Sequence, residues 1–154
     1  MARAAYEGAG QVIQSDEPSY RGIEIELIAA DAVAPADILS ATAYIFVCPE
    51  NLASMSGVMK DMFDRCYYPV LGHTDGRAYA TMIAAGSDGE GAERQIDRIA
   101  TGWRLRRVTD SVIVNLQAQS PEEILAPKTL SITQFNKCSE TGTAMAEGIA
   151  LGIF

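Results

Sequence analysis

Cys48-Pro49-Glu50-Asn51-Leu52-Ala53-Ser54-Met55-Ser56-Gly57 carries the residues best suited to hold a ligand. The stretch follows an apolar run, Ala43 to Val47, and precedes an amphipathic one, Val58 to Cys66. Small residues between a strand and a helix leave backbone N–H and C=O groups open. In an open α/β sheet, ligands sit beyond the carboxyl ends of the strands. Such a corner suits a flat, polar ring gripped by backbone groups. A second stretch, Ala85-Gly86-Ser87-Asp88-Gly89, follows another apolar run, Tyr79 to Ala84. Its glycines permit close backbone approach to a ring, and Ser87 or Asp88 can reach a ring heteroatom. Asp88 can also cap the helix that follows. Bulk at Gly86 or Ala53 is expected to occupy the ring's space.

The remaining reactive side chains form no catalytic set. His73 has no neighbour in sequence to orient it as a base. Tyr67, Tyr68 and His73 fall in a stretch predicted as loop from Tyr67 to Gly76, where they line either a substrate face or a subunit interface. Cys48, Cys66 and Cys138 read as reduced, buried thiols. With one histidine and no Cys-x-x-Cys, a zinc site is not expected. Trp103-Arg104-Leu105-Arg106-Arg107 has two readings: a basic patch for the phosphates of a nicotinamide cofactor, or a solvated surface with Trp103 closing the core. The second is preferred. Gly89-Glu90-Gly91 is no dinucleotide fingerprint, because Arg94 stands where the third glycine belongs.

Elements to position these residues can be read from periodicity. Ala2, Ala5, Tyr6, Ala9, Val12 and Ile13 recur at helical spacing. Ser15-Asp16-Glu17-Pro18-Ser19 is a predicted loop. Ile23-Glu24-Ile25-Glu26-Leu27 alternates as a half-solvated strand does. Pro35 to Leu39 is a helical turn. Tyr44 to Val47 is apolar throughout, as a strand covered on both faces should be. A helix with Ile96, Ile99 and Ala100 follows Gly91, and Ser111 to Leu116 is the last clear strand. Ser120-Pro121-Glu122-Glu123 has the form of a capping box, and a closing helix runs from Ser131 to about Leu151. The order helix, strand, strand, helix, strand, helix, strand, helix predicts a parallel sheet with helices on both faces. Four strands, near 23–28, 43–48, 79–84 and 111–116, are expected in that sheet.

Composition narrows the function classes. The 154 residues are 48% apolar, enough to bury a core, and the net charge of −8 argues against nucleic acid or an anionic membrane as partner. No apolar run approaches the roughly 20 residues that span a bilayer. The first residues form no signal peptide, so a cytoplasmic location is expected.

Taken together, Pro49-Glu50-Asn51 with Met55-Ser56-Gly57 and Lys60-Asp61-Met62-Phe63-Asp64-Arg65, and then Ala85-Gly86-Ser87-Asp88-Gly89, resemble the second and third flavin-binding loops of the flavodoxin-like NAD(P)H-dependent FMN and quinone reductases. Gln95-Ile96, Gly102-Trp103-Arg104-Leu105 and Ala126-Pro127-Lys128-Thr129 extend the resemblance over nearly the whole chain. It implies a flavodoxin-like three-layer α/β sandwich with a parallel sheet, a single domain over residues 1–154, and FMN and NAD(P)H as cofactors. It assigns the flavin to Pro49, Glu50, Asn51, Leu52, Ala53, Ser54, Met55, Ala85, Gly86, Ser87, Asp88 and Gly89. Hydride would pass from nicotinamide to flavin and on to a quinone or similar small acceptor, with no side-chain acid or base required. A homodimer or homotetramer is also implied. Two other readings stand beside this one: a flavodoxin-type electron carrier, and a non-catalytic domain that binds no FMN. Leu52 and Ala53 put no aromatic ring against the flavin, which disfavours the carrier.

One departure is large. Such folds begin with an apolar strand and a Ser/Thr-rich loop that wraps the FMN phosphate, whereas this sequence opens inside the helix that should follow. In the strand order 2-1-3-4-5 the missing strand is central. Either the sequence is N-terminally incomplete, which is the preferred reading, or the fold is rearranged; an unfilled position between the first two strands is expected, and FMN is expected to bind weakly or not at all.

Overall fold

The computed structural model describes residues 1–15 and 17–154. Asp16, within the loop predicted from Ser15 to Ser19, lies outside the described residues. The chain opens on α1 (Ala2–Ile13), then a 3-10 turn at Pro18–Tyr20 and a short α2 (Pro35–Ser40). There follow β1 (Ala43–Asn51), β2 (Ser54–Met55), α3 (Gly57–Val70), β3 (Ala78–Ala85) and α4 (Glu90–Gly102). The short β4 (Arg106–Arg107), β5 (Val112–Asn115), α5 (Pro121–Leu125) and α6 (Ile132–Ala150) complete the chain.

β3 is the hub of the sheet. It pairs in parallel with β1 from Ala43↔Ala78 to Pro49↔Ala84. On its other edge it pairs in parallel with β4 at the amino end and β5 at the carboxyl end. Its sequence, Ala-Tyr-Ala-Thr-Met-Ile-Ala-Ala, is buried along nearly its whole length, as the central strand of a covered parallel sheet must be. Alternation divides β1 between the two faces. Tyr44, Phe46 and Cys48 join a core with α3 and α4, in which Phe46 and Phe63 stand 4.9 Å apart and Phe63 meets Trp103 edge-on at 5.2 Å. Ile45 and Val47 point to the opposite face, toward Ala4, Ala5 and Cys138 on α1 and α6. The result is three layers with helices on both faces of a mostly parallel sheet.

Two expectations need correction. Residues 23–29 form no strand: the backbone is extended but enters no ladder among the described residues. The alternation of Ile23 to Leu27 is real, but a strand is made by a partner, and none is within reach. Arg65 holds the segment's far end instead, donating to the carbonyls of Val33 at 2.7 Å and Ala30 at 2.9 Å. Arg77 pins α2 through the carbonyls of Ile38 and Ala41. Secondly, α3 does not stop at Cys66. It runs through Tyr67, Tyr68 and Pro69 to Val70. A proline near the last turn removes one N–H, but burial of Val70 in the core keeps the backbone helical to that point.

Candidate functional site

The two stretches singled out in the sequence meet at the carboxyl end of the sheet. Pro49 to Ser56 is a tighter structure than a loop. β1 continues to Asn51 and turns back into β2, with Glu50 opposite Met55 and Asn51 opposite Ser54. The two turn residues, Leu52 and Ala53, have φ of 52° and 57°. Positive φ at both central positions marks a type I′ hairpin, whose twist matches the strands. Non-glycine residues pay roughly 1–2 kcal/mol each for that conformation. The hairpin tip is therefore strained, and Leu52 at its apex is fully exposed. The hairpin returns to the sheet where Ser56 N–H donates to the Pro49 carbonyl at 3.1 Å.

Glu50 ties this hairpin to the second stretch. Its carboxylate accepts from Gly89 N–H at 2.7 Å and Ala92 N–H at 3.2 Å. Those amides belong to the first turn of α4, so Glu50 performs the capping expected of Asp88. Asp88 accepts only a long bond, 3.3 Å, from Glu90 N–H. Gly89 is the N-cap residue, at φ 96°, and a Cβ there would lie 2.5 Å from Ile113 Cγ2. Gly91 allows the hairpin to rest on α4, because a Cβ on it would sit 2.2 Å from the Ala53 carbonyl oxygen. Gln95 adds a further tie: its Oε1 accepts from Met55 N–H at 3.0 Å, and its Nε2 donates to Ser54 Oγ at 3.3 Å.

A third loop joins the corner. Asn115 ends β5, and its Oδ1 accepts from Gln117 N–H at 2.8 Å while its Nδ2 donates to the Ser87 carbonyl. Ala118 N–H donates to the Gly86 carbonyl at 2.9 Å. A Cβ on Gly86 would meet the Ala118 carbonyl oxygen at 3.2 Å. Bulk at position 86 thus presses on the protein itself, which corrects the expectation that it would fill only ligand space. Asn115 was foreseeable, since the loop after the next parallel strand opens on the same end of the sheet. Gln95 entered the sequence reading only through the family resemblance, with no role assigned to it.

The exposed groups left free at the corner are the Pro49 ring, Asn51, Leu52, Ala53, Ser87 and Asp88. Met55 is buried beneath them. Cys48 is buried one residue before the hairpin, and burial raises its thiol pKa, so the neutral thiol is favoured. These residues offer hydrogen bonds and a shaped surface, with no nucleophile or acid–base pair.

The other candidates lie elsewhere. α3 starts beside the corner and ends at the far end of the sheet, so Tyr67, Tyr68 and His73 are carried away from it. Thr74, next to His73, donates from its hydroxyl to the Trp103 carbonyl at 3.0 Å, near the start of β3. A role for these residues on a substrate face at this corner is excluded by that placement. Trp103 is buried as a lid on the core. The basic patch is divided: Arg104 is exposed, whereas Arg107 pairs with Glu93 at 2.5 Å and Asp97 at 3.0 Å.

A family model described as NADPH-dependent FMN reductase matches residues 23–118. No curated protein matches the chain. Among solved structures, an archaeal flavodoxin is 15% identical with a TM-score of 0.67, over 96% of this chain and 90% of that one. A flavodiiron core from Synechocystis is 14% identical with a TM-score of 0.69, over 97% of this chain and 32% of the other. An NADPH-quinone reductase from P. pentosaceus is 13% identical with a TM-score of 0.55, over 92% and 88%. At these identities the likeness is one of fold, and the fold is flavodoxin-like.

Proposed function

Because the chain belongs to the NADPH-dependent FMN reductase family, we propose that it is an FMN-dependent NAD(P)H oxidoreductase serving a quinone or similar small acceptor. The observation that carries this reading is the corner itself: the Leu52–Ala53 hairpin and the Gly86–Asp88 loop, locked together by Glu50 at the carboxyl ends of two neighbouring strands. The residues present fit the ring of FMN. Exposed backbone of Asn51 to Ala53 and Ser87 to Asp88 offers donors and acceptors for its polar edge, and Pro49 and Leu52 offer apolar surface for its face. When bound, FMN supplies the hydride-transfer chemistry. The chain's part is to hold the ring edge, to leave one face open with no aromatic side chain over it, and to keep the corner's amides fixed.

For the phosphate, the fit is poorer. α1 starts with Met1 as N-cap and no side-chain cap, and its first turn is Ala2-Arg3-Ala4, without a hydroxyl. The chain is expected to act in the cytoplasm as a homodimer or homotetramer, with Tyr68 and Leu71, exposed at the end of α3, as apolar contact surface. The test is titration of the purified chain with FMN, followed by NADPH oxidation in the presence of a quinone. Saturable flavin binding, with turnover that rises with protein at fixed flavin, is expected. Binding that survives disruption of the hairpin would move the site elsewhere.

A further inference from the structure

The one-turn helix α5 forms without burying any of its residues. Its two large apolar side chains, Ile124 and Leu125, are 59% and 84% exposed. Helices this short are marginal in water by themselves, so something other than core packing holds it. Polar groups do so at both ends. At the start, Ser120 Oγ accepts from Glu123 N–H at 3.2 Å, and the Glu123 carboxylate accepts from the amides of Ser120 at 2.9 Å and Gln119 at 2.8 Å. At the end, Lys128 Nζ folds back and donates to the carbonyls of Ala126 at 2.6 Å, Ile124 at 3.1 Å and Glu123. Caps alone fix the turn, and the turn holds two apolar side chains in water.

Its position gives these side chains a context. Ala118, just before α5, is buried and donates from its N–H to the Gly86 carbonyl at 2.9 Å. Asn115 Nδ2 donates to the Ser87 carbonyl. Both bonds tie the approach to α5 to the loop after β3, one wall of the proposed ring corner. The polar corner and the apolar turn therefore begin at the same end of the sheet.

Size decides between occupants. Full burial of an aliphatic side chain removes on the order of 100 Å² from water, so Ile124 and Leu125 together offer about 200 Å². A stable protein–protein contact takes about 800 Å² from each partner. A second copy of the chain needs more surface than α5 presents, whereas an alkyl chain does not. Resting on the reading of the corner as an FMN ring site, we propose that α5 is a subsite for an apolar substituent on the acceptor. The acceptor is then an amphiphile, with a polar quinone ring at the corner and an alkyl or prenyl chain laid over Ile124 and Leu125. Because caps rather than the ligand shape this platform, little ordering opposes binding.

Two quinones with fully substituted rings test it: tetramethyl-para-benzoquinone, and the analogue in which a decyl chain replaces one methyl. Calorimetric titration of the purified chain with each, with and without saturating FMN, gives the affinities. The decyl compound is expected to bind at least about tenfold more tightly, the gain from covering about two methylenes. The double substitution Ile124→Ser, Leu125→Ser is expected to remove most of that preference and to leave circular dichroism unchanged, since neither residue is in the core. A preference that persists in the double variant overturns the proposal, because the decyl chain then lies elsewhere on the protein. Absence of a preference in the parent chain also overturns it. So does sedimentation of the parent chain as a dimer and of the double variant as a monomer, because a second copy then covers α5. If the double variant does not fold, methyl spectra of the parent chain give the second reading. The decyl compound must then shift the Ile124 and Leu125 methyl signals and the tetramethyl compound must not; any other result overturns the proposal. FMN titrated into the same samples is read separately. Absence of flavin binding overturns the reading of the corner, whereas flavin binding without a decyl preference overturns the subsite alone.

Discussion

Glu50 shows how one side chain can tie two segments of the corner together. Its carboxylate spans Gly89 and Ala92 N–H groups, so the hairpin and the start of α4 move as one body. Removing such a cap typically costs about 1 kcal/mol. Glu50→Ala is therefore expected to lower thermal stability by about that amount and to weaken flavin binding as the hairpin detaches. Glu50→Gln, which keeps one acceptor oxygen, should fall between. Calorimetry and fluorescence titration separate the two effects, and unchanged flavin affinity in Glu50→Ala would remove the positioning role. Ala53 makes the opposite case. At φ 57° it carries backbone strain that glycine relieves. Ala53→Gly should raise stability by up to about 1 kcal/mol, read from the denaturant midpoint. At Gly89 both the φ of 96° and the 2.5 Å approach of Ile113 Cγ2 exclude a side chain. Gly89→Ala should destabilise by more than about 1 kcal/mol.

At the scale of elements, the helices are closed by short local signals. Ser120 Oγ accepts from Glu123 N–H at 3.2 Å, and Glu123 returns the contact by accepting from the amides of Ser120 and Gln119. The Ser120 amide, then that of Gln119, holds the Glu123 carboxyl below its ordinary pKa. A depressed folded-state pKa gives stability that is present above the unfolded value, about 4.3, and lost as pH falls through the folded value. Glu123→Gln should therefore lower the thermal midpoint near neutrality and leave it almost unchanged in acid, which flattens the acid limb of a plot of midpoint against pH. Ser131 and Gln134 repeat the device at the start of α6, where Ser131 N–H donates to Gln134 Oε1 at 2.8 Å. Both signals are local in sequence. The Ser120 box was visible without any tertiary knowledge.

At the scale of the whole molecule, the proposed ring site is a corner where the hairpin and the loop after β3 meet at the carboxyl end of the sheet. Affinity tests whether the chain also holds the ligand's phosphate. Each charge-assisted hydrogen bond to a phosphate is worth roughly 1.5–3 kcal/mol. If the chain holds the ring alone, FMN and riboflavin should bind within about a factor of three of each other. A preference of a hundredfold or more for FMN, measured by fluorescence titration in the same buffer, would mean that another segment supplies a phosphate site.

Local pattern was enough for most of the elements. α1, α6, β1, β3 and β5 follow from apolar spacing, because their period is imposed by the face each must bury. Small residues after β1 and β3 marked the corner, because a ligand approached by backbone needs little bulk. What the pattern could not carry was partnership. Residues 23–29 alternate as a strand, but a ladder belongs to two segments, and only the fold shows that they enter none among the described residues. The type I′ turn was hidden because Leu52-Ala53 lacks the Asn-Gly signature that normally announces it. Glu50, expected at the flavin, also caps a helix at a residue 39 positions away. Tyr67 and Tyr68 moved to the opposite end of the molecule because burial of Val70 extended α3 past a proline. Apart from the turn, the deciding contact is distant in sequence, so its free energy could not be read from neighbours along the chain.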